Sequence, residues 1–341
     1  MDRALPEISG KTGWPWTKTS QPLHDTMQNG HPWPKISIVT PSYNQGQFLE
    51  ETIRSVLLQG YPNLEYIIID GGSTDNSIEI IKKYASWLTY WVSEKDRGQS
   101  HAINKGWSRA KGQLIAYLNS DDIYLPNALQ KIAEAWDENR ASAAIVGAVV
   151  RTDELSKTTG TPSLPFLPSP APIDLTVIDH DKWFLPQQPG FFNSAVLDTA
   201  GRFVREDLQY AMDRELYYRI CSRGSITLIP DPIATYRLHK NSKTISTKID
   251  FYREGPKALL MNVSCDDGFN RQRRKVGRWR LAQGHYALAK STSHNITKVW
   301  HLVRAIGYRP GYFFRLGFWI VLSDAFKLRK PLRWLWHRMV S

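Results

Sequence analysis

Between residues 36 and 150, short apolar runs alternate with longer segments whose apolar residues recur every three or four positions. The runs at 36–40, 64–70, 88–93, 113–118 and 143–150 are rich in β-branched residues and predict strands. The intervening segments at 47–59, 75–86, 99–110 and 126–139 carry helical spacing. Thr74 and Asp75 are suitable caps for the second helix, and Asp122 with Pro126 precedes the fourth. Strands alternating with helices in this way predict βαβ units, hence an α/β fold with a mostly parallel sheet flanked by helices.

The flanks read differently. Residues 1–34 are rich in Pro, Trp, Thr and Gly without periodicity and predict an irregular arm packed beside the first domain. Beyond residue 150, five prolines between Pro162 and Pro172 predict a long loop. An apolar run at 191–197, a helix at 208–222 and strands at 226–229 and 233–238 follow. That stretch is too short to fold alone. The expected organisation is therefore an arm (1–34), two halves of one α/β domain (35–150 and 151–245) and a helical C-terminal region (246–341).

Composition changes this picture mainly through charge. The 341 residues are 42% hydrophobic and 22% charged, with two cysteines that form no CxxC pair. A disordered chain, a disulfide scaffold and a cysteine zinc site are thereby disfavoured. The formal charge of +12 resides in one place. Residues 271–341 hold 16 Lys and Arg against one acid, Asp324, whereas the preceding 270 residues hold 28 basic and 31 acidic residues. The segment from Arg309 onward interleaves aromatics with Lys and Arg, a composition suited to an anionic membrane surface. Its longest apolar stretch, 311–326, is broken by Arg315 and Asp324 and is short for a spanning helix. The first residues show no apolar leader. These features predict a cytoplasmic chain, peripheral on the inner face of a membrane.

Parallel sheets bind ligands beyond the carboxyl ends of their strands. Here those positions are polar: Thr40-Pro41-Ser42-Tyr43-Asn44, Asp70-Gly71-Gly72-Ser73-Thr74-Asp75, Ser93 to Gln99, and Asn119-Ser120-Asp121-Asp122. All four clusters should converge on one rim. Two adjacent carboxylates held rigidly after a strand repel each other unless a cation intervenes, which suggests Mg²⁺ or Mn²⁺ carried with a phosphorylated ligand. The alternative is that Asp121 and Asp122 cap the next helix.

Taken together, these motifs resemble family 2 glycosyltransferases of the GT-A type. The resemblance runs through ISIVTPSYNQGQFLEETIRSVLLQGYPNLEYIIIDGGSTD, EKDRGQSHAINKGWSRAKG and LIAYLNSDDIYLP, then resumes in QQPGFFN and LQYAMDRELYYRI. It implies that Pro41, Tyr43 and Asn44 contact the nucleotide and that Asp70 lies near base and ribose. It also implies that Asp96 and Arg97 approach nucleotide and sugar. Asn119-Ser120-Asp121 occupies the DXD position, with Asn replacing the first Asp. Asp121 is then the expected metal ligand, with Asp122 a second candidate for metal or donor sugar. Asp213 matches the general base, and His239 resembles an added metal ligand. A surface Asp213 paired with Arg214 or Arg219 is the plain alternative. Gly71 and Gly72 are expected to let backbone approach the nucleotide.

The implied reaction is metal-dependent, inverting transfer from a nucleoside-diphosphate sugar to a hydroxyl of a glycan acceptor, lipid-linked or a polysaccharide precursor. Two other classes compete. The basic tail would suit single-stranded nucleic acid, but the acidic balance of the other 270 residues argues against nucleic acid as a substrate. An inactive carbohydrate-binding relative should have lost Asp121 or Asp213, and both are present.

Overall fold

The computed structural model describes residues 5–167, 185–240 and 242, and beyond these only scattered positions together with residues 295–310. Two compact units divide the chain, Met1–Ser242 and Lys243–Ser341.

The first unit is built on an eight-stranded sheet among the described residues. Its strands are β1 (Ile36–Ser42), β2 (Leu64–Asp70), β3 (Tyr90–Ser93), β4 (Leu114–Tyr117), β5 (Ile123–Tyr124), β6 (Ala144–Thr152), β7 (Gly190–Asn193) and β8 (Ile226–Arg237). Their spatial order is β3-β2-β1-β4-β7-β6-β8-β5. Strands β3, β2, β1 and β4 are mutually parallel, so their carboxyl ends share one edge. All seven residues of β1 are buried, which is why Val39 adds to Ile36 and Ile38 and the strand does not alternate strictly between apolar and polar positions. Strand β7 pairs antiparallel with both β4 and β6, and β6 runs parallel to β8.

Helices α1 (Gly46–Leu57), α2 (Ser77–Tyr84), α3 (Gln99–Trp107) and α4 (Ala128–Glu138) follow the predicted positions. Leu49, Ile53 and Val56 of α1 and Leu129, Ile132 and Trp136 of α4 join Ile36, Ile38, Ile68 and Leu114 in the main core. Two further helices, α5 (Ser194–Thr199) and α6 (Met212–Cys221), complete the described helices of this unit.

Several local expectations need correction. The cap of α2 is Asn76, not Thr74 or Asp75. Asp75 nevertheless accepts from Ser77 N–H (3.0 Å) and from Gly46 N–H at the start of α1 (2.8 Å), tying two helix N-termini together. Helix α4 begins two residues after Pro126, at a left-handed Asn127. The run at 191–197 is not one element: a strand ends at Asn193, whose side chain accepts from Ala195 N–H and caps α5. The two strands expected at 226–229 and 233–238 form one strand. Pro230 and Pro232 only shift its register against β6, where the ladder is irregular around Ala148.

From residue 5 to 34 the arm has neither helix nor strand. Arg54 donates to the carbonyls of Pro6, Pro15 and Trp16, and Trp14 Nε1 donates to Tyr124 O at 2.8 Å. Trp33 is buried against Tyr61. Its tryptophans are packing groups.

In the second unit the longest continuously described element is α7 (Asn295–Tyr308), with Leu302 packed among Ala289, Phe318 and Val321. Among the described residues no helix is long and apolar enough to cross a membrane. Most of the aromatic basic segment after Arg309 lies outside the described residues.

Candidate active site

Hydrogen bonds join the four polar loops into one rim. Asn44, with a left-handed φ of 50°, donates its N–H to Ser73 Oγ (2.8 Å), while its Oδ1 accepts from Thr74 N–H (2.8 Å). Ser93 Oγ donates to Asp70 Oδ2 at 2.7 Å. Gln99 Nε2 donates to Asn119 Oδ1 at 2.6 Å. The first loop thus holds the second, the second the third, and the third the fourth. Pro41 is buried within β1, and Tyr43 stands 60% exposed at the mouth.

Asp70, expected near base and ribose, is hydrogen-bonded within the loops themselves. It is fully buried and accepts from Gly72 N–H (3.1 Å), Ser73 N–H (2.9 Å), Ser73 Oγ (2.5 Å) and Ser93 Oγ. Four donors occupy its oxygens, so it shapes the loop. Gly71 also has a different reason from the one expected. A Cβ there would meet Asp96 Oδ2 at 2.6 Å, so the missing side chain makes room for a carboxylate. Asp96 in turn accepts from Gly98 N–H at 2.7 Å. Arg97 reaches outward to Glu206, with Nε and Nη2 at 3.0 and 2.8 Å from the same oxygen. It links the third loop to the segment that leads into α6.

The fourth loop is the most elaborate. Thr52 Oγ1 on α1 donates to Ser120 O and Asp122 O, fastening the turn to the helix. Asp122 is buried and accepts from Arg237 N–H (2.9 Å), Gln188 Nε2 (3.2 Å) and Asn119 Nδ2 (3.2 Å). Burial first, then the charge on Asp121, push its pKa up to about 8, against the pull of those three donors. Neither aspartate caps α4. Asp121 instead extends its Oδ2 to His239 Nε2 at 3.0 Å.

These residues suit a divalent cation. A carboxylate and an imidazole face each other, and a second carboxyl is buried beside them; a cation there would favour the ionised form that burial and the Asp121 charge oppose. Among the described residues no cluster of three or more His, Cys, Asp or Glu forms a complete cage. Asp121 and His239 would therefore hold the ion together with ligand oxygens, as Mg²⁺ and Mn²⁺ are held beside phosphates.

Asp213 occupies the first turn of α6, where its Oδ1 accepts from Arg214 N–H at 2.7 Å. Arg219 is committed elsewhere. It binds Glu215 through Nε (2.9 and 3.0 Å) and the carbonyls of Ala200, Gly201 and Phe203, anchoring the helix to the preceding loop. The Tyr117 hydroxyl lies in the electrostatic reach of both acidic groups. Burial, then Asp213, Tyr217 and Asp122 raise its pKa well above the usual phenol range. The fourth loop and α6 are both fastened to residues 186–188, through Gln188 Nε2 to Asp122 Oδ2 (3.2 Å) and Tyr217 Oη to Pro186 O (2.9 Å).

Four residues of this arrangement have no role assigned in the sequence reading: Gln187, Gln188, Arg237 and Glu51. Gln187 donates to Tyr117 O (2.7 Å) and accepts from Asn119 Nδ2 (3.2 Å). For the glutamines the signal was present, since QQPG stands among the motif stretches, but each partner is distant in sequence.

A family profile described as Glycosyl transferase family 2 matches residues 37–197. The uncharacterised glycosyltransferase Rv1514c of Mycobacterium tuberculosis is 30% identical over 191 residues, covering 54% of this chain and 68% of that protein. The chain belongs to glycosyl transferase family 2. Two other curated relatives, 34% and 33% identical, are spanned over only 37% and 54% of their lengths, and 35% and 40% of this chain. Among solved structures, S. aureus TarS 1–349 with UDP-GlcNAc superposes with a TM-score of 0.61 at 16% identity, covering 89% of this chain and 92% of that one. The mannosyltransferase PcManGT of Pyrobaculum calidifontis, with GDP-Man and Mn²⁺, gives 0.52 at 18% identity, covering 87% and 90%. The mixed α/β sheet flanked by helices is therefore the GT-A fold.

Proposed function

We propose that this family 2 member moves a sugar from a nucleoside-diphosphate sugar to a hydroxyl of a glycan acceptor, inverting the anomeric centre. The observation that carries the reading is the pairing of Asp121 with His239 beside buried Asp122, with the helix that bears Asp213 fastened to the same 186–188 segment as Asp122.

In this reading Pro41, Tyr43 and Asn44 border the nucleotide, Asp70 and Gly71 shape the loop beneath it, and Asp96 and Arg97 flank the sugar. Asn119 and Asp122 orient the donor side of the pocket. Asp121 and His239 would hold Mn²⁺ or Mg²⁺. Such an ion, when bound, offsets charge developing on a departing diphosphate. Asp213 takes the proton from the acceptor hydroxyl as that oxygen attacks the anomeric carbon from the face opposite the leaving group. Relatives of this fold solved with UDP-GlcNAc and with GDP-Man support a nucleotide-sugar donor and leave its base open. The composition of the basic tail supports an acceptor held at a membrane, lipid-linked or a polysaccharide precursor.

The test incubates the full chain with UDP-, GDP- and TDP-sugars and Mn²⁺ and follows nucleoside-diphosphate release. Asp213→Asn should lower kcat roughly 10²–10⁴-fold while calorimetric donor affinity stays unchanged. Asp121→Asn and His239→Ala should weaken Mn²⁺-dependent nucleotide binding. An Asp213→Asn protein that turns over at the native rate removes the base assignment, and donor binding indifferent to both metal-site variants removes the metal.

A further inference from the structure

Helix α7 is built inside out for a helix of a water-soluble surface. It turns Lys298 and His301 inward, with His301 Nδ1 2.9 Å from His285 Nδ1. It leaves Ile296, Trp300 and Val303 exposed at 77%, 49% and 62%. The spacing of four and three residues puts these three on one stripe, with Gly307 a further turn along. Arg304 lies beside the stripe with its guanidinium 5.0 Å from the Trp300 ring centre. Exposed Lys290 and Arg309 add positive charge nearby in sequence.

Three occupants could cover such a stripe. A second copy of the chain would bring together two regions that each carry 16 basic residues against one acid, and like charges oppose that pairing. Three side chains also supply only a few hundred Å², against roughly 1,200 Å² or more for a stable protein interface. Single-stranded nucleic acid would use the basic charge and Trp300, yet Ile296 and Val303 offer nothing on which a base stacks. An anionic bilayer uses every feature: aliphatic side chains enter the acyl boundary, Trp sits at headgroup depth, and Arg meets lipid phosphate.

We propose that the Ile296–Trp300–Val303 face of α7 is a membrane-docking surface for anionic lipid. This assignment does not depend on the transferase reading. It also differs from the expectation drawn from the segment after Arg309, since it rests on a helix whose exposed side chains are described.

The full chain should cosediment with phosphatidylcholine vesicles containing phosphatidylglycerol, and only weakly with phosphatidylcholine alone. Replacing the stripe (Ile296→Ser, Trp300→Ser, Val303→Ser) should lower the partition coefficient by about tenfold or more. A second readout keeps the test independent of folding defects. Acyl chains carrying bromine should quench part of the tryptophan fluorescence of the native chain, and Trp300→Phe, which still binds, should lose a measurable fraction of that quenching. Failure of the native chain to bind anionic vesicles overturns the proposal. So does unchanged partitioning of the triple variant, or quenching indifferent to Trp300→Phe, which would assign the contact to another segment. A native dimer that the same substitutions dissolve without vesicles, or oligonucleotide binding that they abolish, would give the face to another occupant.

Discussion

Replacing Arg237 with Met tests whether the aspartate turn is held by a buried cation. The side chain is almost wholly enclosed and its head makes four contacts: Nε to Asp121 O (2.8 Å), Nη1 to Glu154 O (3.1 Å) and Ser156 Oγ (2.7 Å), and Nη2 to Glu51 Oε2 (2.8 Å). Its guanidinium also lies 4.6 Å from the centre of the Phe48 ring. Met retains much of the volume and none of the donors. Glu51, itself buried, would keep only the hydrogen bond from Ser156 Oγ. Removing one partner of a buried ion pair costs about 3–5 kcal/mol because the other charge is stranded. The surviving Ser156 contact places the expectation near the lower end, at about 3 kcal/mol.

The assay is urea unfolding followed by tryptophan fluorescence. With a slope of about 3 kcal/mol/M, that loss lowers the midpoint by roughly 1 M. Arg237→Lys should recover part of it, since an ammonium can face Glu51 but cannot also reach the carbonyls of Asp121 and Glu154. Glu51→Gln in the Met background should cost far less than in the native chain, with a coupling of about 1–3 kcal/mol. The Arg237 N–H bond to Asp122 belongs to the main chain and survives every substitution, so donor binding should weaken through displacement of Asp121. A midpoint within about 0.3 M of native, or strictly additive Glu51 and Arg237 effects, would refute the reasoning.

Gly71→Ala should raise the donor KM and lower stability, because the new methyl group and the Asp96 carboxylate cannot share 2.6 Å; Gly71→Ala with Asp96→Gly should recover stability in a thermal melt. The arm offers a pH test. Burial raises the Asp137 pKa, but hydrogen bonds from Arg140, His31 and Asn29 outweigh it and lower it to about 2. Its unfolded-state value is higher, so this stabilisation is complete above about pH 4 and is lost as pH falls toward 2. Asp137→Asn should therefore lower stability at neutral pH by on the order of 1 kcal/mol, read as a drop in melting temperature that shrinks to nothing in acid.

The parallel half of the sheet was legible because strands buried on both faces are dominated by β-branched and other apolar residues, as in IxIV of β1, YIII of β2 and LIAY of β4. Helix α1 was legible for the complementary reason, its buried side alternating with polar positions. What escaped was set by partners rather than by local pattern. Gly190 to Asn193 is a tetrapeptide with only two large apolar residues, Phe191 and Phe192, that gains strand geometry by slotting between β4 and β6. Residues 123–124 are a strand only because β8 lies beside them. The same division separates the site residues. Parallel strands force their trailing loops onto one edge, so Asn44, Asp70, Asp96 and Asp121 could be placed from sequence. Arg237 and Glu51 are 186 positions apart, and no local feature of either announces the other.

The antiparallel insertion of β7 ties the aspartate turn to the helix that carries Asp213. Gln187 and Gln188, just before β7, bind Tyr117 O and Asp122, so the segment entering the strand is locked to the fourth loop. Tyr217 on α6 donates to Pro186 O at 2.9 Å, so the helix carrying Asp213 is locked to that same segment. One short peptide, 186–188, therefore fixes the distance between the carboxylates of the aspartate turn and the carboxylate of α6. Side chains fastened to a common rigid element keep their separation better than groups on independent loops, which in-line displacement requires of a metal side and a base side. Shifting that peptide should weaken donor binding and catalysis together. Altering Asp213 alone should affect only catalysis.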